Sequence, residues 1–248
     1  MIPRKLFERY RDDLELVLEA GKQGVFNLYM RAEQLAESQE ELDFLVRTAY
    51  SETIRDLMGP VDVIASDFYT DERAEAGVTS EMGEVRLRPL DTYDAALGMV
   101  VDEAMAHDGA QGRVGKLQGA ADRMLMGRAE SVLEAHARAD PDKPLWAIVP
   151  QPGACAFCLT VASRGFKYRS ESAAGRQRHD GCRCTPVVDH DTKNPALEGY
   201  DIKELEDLYD DLTKRAGSNK LKDITKVFKE QMKSHESWEE ILPKHPTR

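Results

Sequence analysis

The stretch "CAFCLTVASRGFKYRSESAAGRQRHDGCRC", from Cys155 to Cys184, contains all four cysteines of a chain of 248 residues. Its spacing is Cys155-x2-Cys158, a long loop, then His179-x2-Cys182-x-Cys184. Two close donors, a loop, and two or three more close donors is how a short segment builds a tetrahedral zinc site. The paired ligands come from tight turns, and the loop lets the turns face each other across the metal. Five candidates compete for four places. Cys155, Cys158 and Cys182 are common to every arrangement, while His179 and Cys184 contend for the fourth. His179 repeats the gap of the first pair. In an extended strand, however, Cys182 and Cys184 point the same way because side chains alternate. Three thiolates and an imidazole leave a net −1 on the site and four thiolates −2. Arg164, Lys167, Arg169, Arg178 and Arg183 would soften either charge.

Working outward, the sequence reads as helical on both sides of this stretch. Leu6, Tyr10, Leu14, Val17 and Leu18 recur at helical steps, then Phe26, Tyr29, Met30 and Leu35, then Leu42, Leu45, Val46, Ala49 and Ile54. Three helices are expected over 4–74, the first two parted near Gly21 and Gly24, the third ended or kinked at Gly59-Pro60. Residues 75–91 read as a loop with a short strand at 85–87. Thr92 or Asp94 is placed to cap a helix over 94–107, and another follows over 112–138. Gly115, Gly119 and Gly127 weaken that helix by propensity.

The texture changes at Leu145. "LWAIVP", "GFKYRS" (165–170) and "CRCTPVVD" (182–189) read as three short strands. After Pro195 the chain returns to helix, with Leu205, Leu208, Tyr209 and Leu212 as an apolar stripe. The fold expected is mainly α: a helical body over 1–140 with a break near 75–93, a small zinc-stapled β module over 141–192, and a helical tail over 193–248. Three strands and a loop bury little apolar surface by themselves, so the metal is expected to supply the module's stability. The tail is expected to dock on another subunit or to fold back on 1–74.

Composition narrows the functions available. A formal net charge of −11 gives the whole chain no attraction for nucleic acid. No apolar run is long enough to span a membrane. The start of the chain carries acids where a signal peptide needs an apolar segment, which points to a reducing compartment, where clustered cysteines bind metal more often than they pair. A thioredoxin-like redox pair would need Cys155-x2-Cys158 at a helix N-terminus after a strand, in a βαβ setting.

The residues Trp146, Val149-Pro150, Gly153-Ala154-Cys155-x2-Cys158, Ala162-Ser163-Arg164-Gly165, Tyr168 and His179-Asp180-Gly181-Cys182-Arg183-Cys184 together resemble the cysteine–histidine signature of MuF-like phage minor head proteins. The likeness is strongest to the branch found in phages of actinobacteria. It covers roughly 145–190, and the helical region before it agrees in character. The resemblance implies a minor capsid protein, present in few copies at the portal vertex and acting in head morphogenesis and in DNA packaging or delivery. It implies contact with the portal protein, with the major capsid or scaffold protein, and weakly with packaged DNA. The expected location is the virion, in the head interior or at the portal vertex, and the host cytoplasm during assembly. The family's ligands would fall on Cys155, Cys158, His179, Cys182 and Cys184.

Two rival readings remain at this level. A treble-clef nuclease of the His–Asn–His type would use His179 as general base with His190 and Asn194 nearby. A zinc-dependent nucleic-acid-binding module would use Arg164, Lys167, Arg169, Arg176, Arg178 and Arg183, with Phe166 and Tyr168 stacking on bases. The plainer account of those basic residues is that they offset thiolates and anchor the segment on acidic helices.

Overall fold

Two long helices, α1 (Arg4–Leu35) and α2 (Gln39–Glu75), open the chain in the computed structural model, which describes residues 1–151, 154–168, 178–200 and 202–232. A short connection turns one helix back on the other, and its chemistry is local. The Ser38 hydroxyl accepts from the Glu41 amide at 3.1 Å, and the Glu41 carboxylate reaches back to the Glu37 amide at 2.8 Å.

Two helices occupy 4–75 where three were expected. Gly21 and Gly24 do not separate helices; they let α1 approach its neighbours. A Cβ on Gly21 would meet Leu125 Cδ1 at 3.3 Å, and one on Gly24 would meet Thr53 Cγ2 at 3.2 Å. Pro60 lies within α2 without ending it. Its ring faces solvent, where water can take the carbonyl that lost its donor. Met58, Val61, Ala65 and Phe68 therefore stay in register on the buried face. Phe26 and Leu35, read as part of the apolar stripe, lie exposed.

After α2 the chain has no strand at 85–87. A 3-10 turn (Leu90–Tyr93) leads into α3 (Asp94–Met105), and α4 (Gly109–Ala139) packs against both α1 and α2. Strand β1 (Leu145–Val149) pairs antiparallel with β2 (Thr185–Asp189), Leu145 opposite Asp189 and Val149 opposite Thr185. Of the strand expected at 165–170, only Tyr168 joins the sheet, by a single bridge to Trp146; residues 169 and 170 lie outside the described residues. A short helix, α5 (Ala156–Ala162), was not anticipated. Its 7 residues are too few to show a helical period in the sequence. The tail forms α6 (Ile202–Ala216) and α7 (Leu221–Met232). Among the described residues the fold is thus mainly α with one two-stranded sheet.

One continuous buried cluster runs from the helical bundle through Trp146, Leu159, Val161, Tyr168, Val187 and Val188 to Leu212, Ile224 and Phe228. The strand β2 rests on α2 and α4, and α7 rests on α5. The cysteine segment is therefore not short of apolar interior, contrary to expectation. It shares the interior of the bundle instead of building its own. The described part of the tail packs on α5, a site that neither sequence-based alternative named.

Candidate metal centre

The β1–β2 ladder holds the two ends of the 150–184 insertion together, and the donors emerge from those ends. Cys155 sits at the N-cap of α5 and Cys158 one turn along it. Cys182 and Cys184 lie in the stretch that runs into β2. His179 precedes them in a turn whose Gly181 has φ of +76°, a backbone region that side chains with a Cβ disfavour.

That turn is seated directly on α4. The Gly181 amide donates to the Gly119 carbonyl at 2.8 Å. A Cβ on Gly119 would come within 3.0 Å of Asp180 Cβ, whereas one on Gly115 or Gly127 would meet nothing within 4 Å. Gly119 is the close-approach point, and the other two are simple weak spots in a helix. Gly119→Ala should destabilise by about 1–3 kcal/mol through displacement of the turn. Gly115→Ala should stabilise by up to about 1 kcal/mol. Thermal denaturation of the two variants side by side checks the opposite signs.

All five candidate donors converge. His179 Nε2 is 3.1 Å from Cys155 Sγ, and Cys158 Sγ is 3.5 Å from Cys182 Sγ. Two triads, Cys155–Cys158–His179 and Cys158–Cys182–Cys184, each keep their donor atoms within 4.8 Å of one another. They share Cys158, so the donors form one cluster. Thiolates at about 2.3 Å from a tetrahedral zinc stand about 3.8 Å apart, which matches this spacing. A cavity of about 20 Å³ is lined by Cys158, Cys182 and Cys184 together with Glu130, Ile148, Phe157, Val161 and Arg178. That is room for one water or one ion. His179 Nδ1 lies 2.8 Å from the Asp180 carbonyl, a contact that requires Nδ1–H to donate. Nε2 is then the ring nitrogen with a lone pair, and it faces the sulfurs, as in a histidine held ready for a metal.

The protonation pattern fits the same donor set. The Cys155 thiol is brought down to about 5, first by the hydrogen bond from Cys158, with smaller help from His179. Cys182 is pushed far below the ordinary thiol range by hydrogen bonds from Cys158 and Cys184 and by the Arg178 charge. Cys158, the shared donor in the middle, is pushed up. Two sulfurs thus favour the thiolate and depend on a neighbour's proton, a place that a divalent cation can take.

The basic residues of the segment are engaged with the rest of the fold. Arg178 donates to the Cys184 carbonyl at 2.7 Å and to Cys182 Sγ at 3.5 Å, and its other arm pairs with Glu130 of α4. Arg183 forks onto Asp122 of α4 at 3.0 and 3.1 Å and reaches Glu15 and Glu19 of α1. Asp180 pairs with Lys116 at 2.8 Å and Arg123 at 3.0 Å, both on α4. Lys167 pairs with Glu206 at 2.9 Å, and the Arg164 guanidinium lies 4.8 Å from the Tyr168 ring centroid. Arg169 and Arg176 lie outside the described residues.

The flanking structure meets part of what a redox pair needs. Cys155-x2-Cys158 does open a helix that follows a strand. The next strand, β2, returns antiparallel, so no βαβ unit surrounds the pair among the described residues.

Sequence reading missed a second polar cluster. His190, next to the end of β2, is placed between Glu72 of α2 and Asp140 at the end of α4. Its Nδ1 contacts Glu72 Oε2 and its Nε2 lies 3.1 Å from Asp140 Oδ2. Asp140 also accepts from Tyr69 at 3.1 Å and Arg73 at 2.7 Å. The His190 side chain is only 1 % exposed. Burial would lower the His190 pKa, but the contacts to Glu72 and Asp140 outweigh it and the net shift is upward. Nothing local in "VVDHDT" announces partners 50 and 118 residues away. The sequence offers His190 only as a companion of His179 in the nuclease reading.

Fold and cluster together define a mainly helical protein with a sulfur-rich centre whose donors could hold a metal ion. The chain belongs to the VG15 protein family, whose model matches residues 1–212, and this is a phage-associated family of virion genes. No curated protein and no solved structure matches the chain. No described helix is long and apolar enough to cross a membrane.

Proposed function

We propose that this chain is a MuF-like minor capsid protein of a phage head, of the actinobacteriophage branch, carrying one structural zinc. Its work is assembly at the portal vertex, through the portal protein and the major capsid or scaffold protein, in head morphogenesis and DNA packaging or delivery. The observation that carries this reading is the convergence of Cys155, Cys158, His179, Cys182 and Cys184 in a chain of a virion-gene family. In this reading residues 1–140 are the helical body, 141–192 the metal module and 193–248 the tail. The ion neutralises thiolate repulsion, while Arg178 and Arg183 offset the remaining negative charge and tie the loop to α4 and α1.

Metal analysis of the purified protein and a pull-down against the phage's portal protein test the proposal. One zinc per chain together with portal binding supports it; a metal-free folded chain overturns the zinc, and failure to bind portal overturns the vertex role. Cobalt substitution identifies the fourth ligand. Sulfur-to-cobalt charge-transfer absorption falls in Cys184→Ser if Cys184 binds, and the d–d bands shift in His179→Ala if His179 binds.

The nuclease remains the rival. Against it, His179, the general base it needs, has Nε2 turned to Cys155 Sγ at 3.1 Å, and His190, its further ligand, has both ring nitrogens facing buried carboxylates. His190 is consequently a poor discriminator by mutation, because its loss disturbs the core. Incubating the wild-type protein with duplex DNA and Mg²⁺, Mn²⁺ or Zn²⁺ is the direct measurement; cleavage that copurifies with the chain would sink the structural reading.

A further inference from the structure

Residues 83–88 form a strap along α4 with no strand paired to it among the described residues. The Gly83 amide donates to the Ala139 carbonyl at 2.9 Å, and the Arg88 carbonyl accepts from Arg128 at 2.6 Å. Arg128 and Ala139 stand eleven positions apart on α4, about 16 Å along its axis at about 1.5 Å per residue. Five residues of chain link the two anchors, and their burial alternates as in an extended segment. Val85 and Leu87 are half-buried toward the body, while Glu84, Arg86 and Arg88 are exposed. The backbone amides of residues 84–88 and the carbonyls of 84–87 have no protein partner among the described residues. The strap is thus a strand edge fixed at both ends and open in the middle, the form that accepts another strand. Because both anchors are already made, ordering it costs a partner little.

The charge order on the exposed row selects the occupant. Glu84 and Arg86 flank Val85 symmetrically and pair with each other at 2.8 Å within one strap, a contact exchanged for the same pairing across the axis when two straps meet. If two straps pair antiparallel about Val85, each Glu84 faces the Arg86 of the other copy, and the opposite-charge contact is made twice by one two-fold axis. Pro89 ends the pairing on one side, since it has no amide to give. We propose that this strap is a self-pairing edge through which two copies of the chain associate weakly, centred on Val85. The pairing is independent of the metal centre, and the chain's net charge of −11 opposes it at long range, so it should be a low-affinity contact that strengthens at high protein concentration.

Two measurements on the full zinc-loaded chain test it. Sedimentation equilibrium should show a monomer–dimer equilibrium that Arg86→Glu weakens at least about tenfold through two like-charge contacts. The swap Glu84→Arg with Arg86→Glu should restore it, because the row remains self-complementary. Val85→Cys places two thiols opposite each other across the axis, so mild oxidation should give a disulfide-linked dimer. Thr79→Cys, exposed but outside the strap, should not. A wild-type chain that is monomeric at every concentration, together with no excess crosslinking of the Val85→Cys variant over the Thr79→Cys control, overturns the proposal. So does a dimer indifferent to both charge variants.

Discussion

Chelation of the proposed zinc, or Cys182→Ser, should lower stability by about 4 kcal/mol or more and melt the protein about 8–16 °C earlier. Cys182 is the donor most tied to the surrounding fold. Its sulfur touches Cys158, its neighbour Arg183 holds α1 and α4, and Arg178 lies against it. Losing the ion leaves thiolates crowded in a buried site and frees the 178–184 turn. The acids Asp122, Glu15 and Glu19 then lose the arginine that joins them, so the damage passes into the contact between α1 and α4. The helices themselves should remain. Their own part of the shared interior, through Tyr29, Tyr50, Met58 and Leu125, contains no candidate donor. Far-UV circular dichroism should therefore change little while the melting temperature falls and amide exchange accelerates at 178–184. A melting curve unmoved by chelator would remove the metal from the account.

His190→Leu should be nearly as costly, about 3–5 kcal/mol, for a different reason. The imidazolium and Arg73 balance Glu72 and Asp140. Without the ring, one buried carboxylate has no counter-charge. His190→Leu combined with Glu72→Leu should cost less than His190→Leu alone, because the stranded charge goes with the ring. Urea denaturation of the two single variants and the double variant supplies the cycle, and strict additivity would show that the contact carries no coupling.

The same cluster sets a pH dependence with a defined sign. The His190 pKa is raised above 6.5, so its contribution is fully present below that value and is lost as pH rises through the folded-state pKa. The Asp140 pKa is lowered below 3.8 although burial opposes the shift, with the hydrogen bond from Arg73 the largest lowering influence. Its contribution is present above 3.8 and fades as pH falls. The Glu72 pKa is raised by burial above 4.5, the contacts with His190 opposing the shift, so its ionisation costs stability as pH rises. Stability from this cluster should hold in mildly acid solution and decline on the alkaline side of 6.5. His190→Gln should flatten that alkaline decline.

Amphipathic periodicity made the helices legible, because each must bury one stripe wherever its neighbours lie. The metal donors were legible for a related reason: ligand chemistry is carried by residue type, and short spacings survive any fold. Helix ends near glycine were misread because glycine has two uses. At Gly21 and Gly119 it allows close approach, and only the neighbours, Leu125 and Asp180, reveal which use applies. Pro60 does not end its helix, because the cost of a proline depends on which side of the helix faces water.

By itself the sequence determined a helical chain interrupted by a cluster of four thiols and an imidazole within thirty positions. Local spacing is enough for that, since both the helical repeat and the reach of a metal ligand are short. Only the tertiary structure decided that the cysteine segment shares the bundle's interior, that Arg183 clamps α1 to α4, and that His190 closes a buried pair with Glu72 and Asp140. Those partners are separated by tens to more than a hundred residues, and burial, which sets the strength of each charge contact, exists only once the chain has folded.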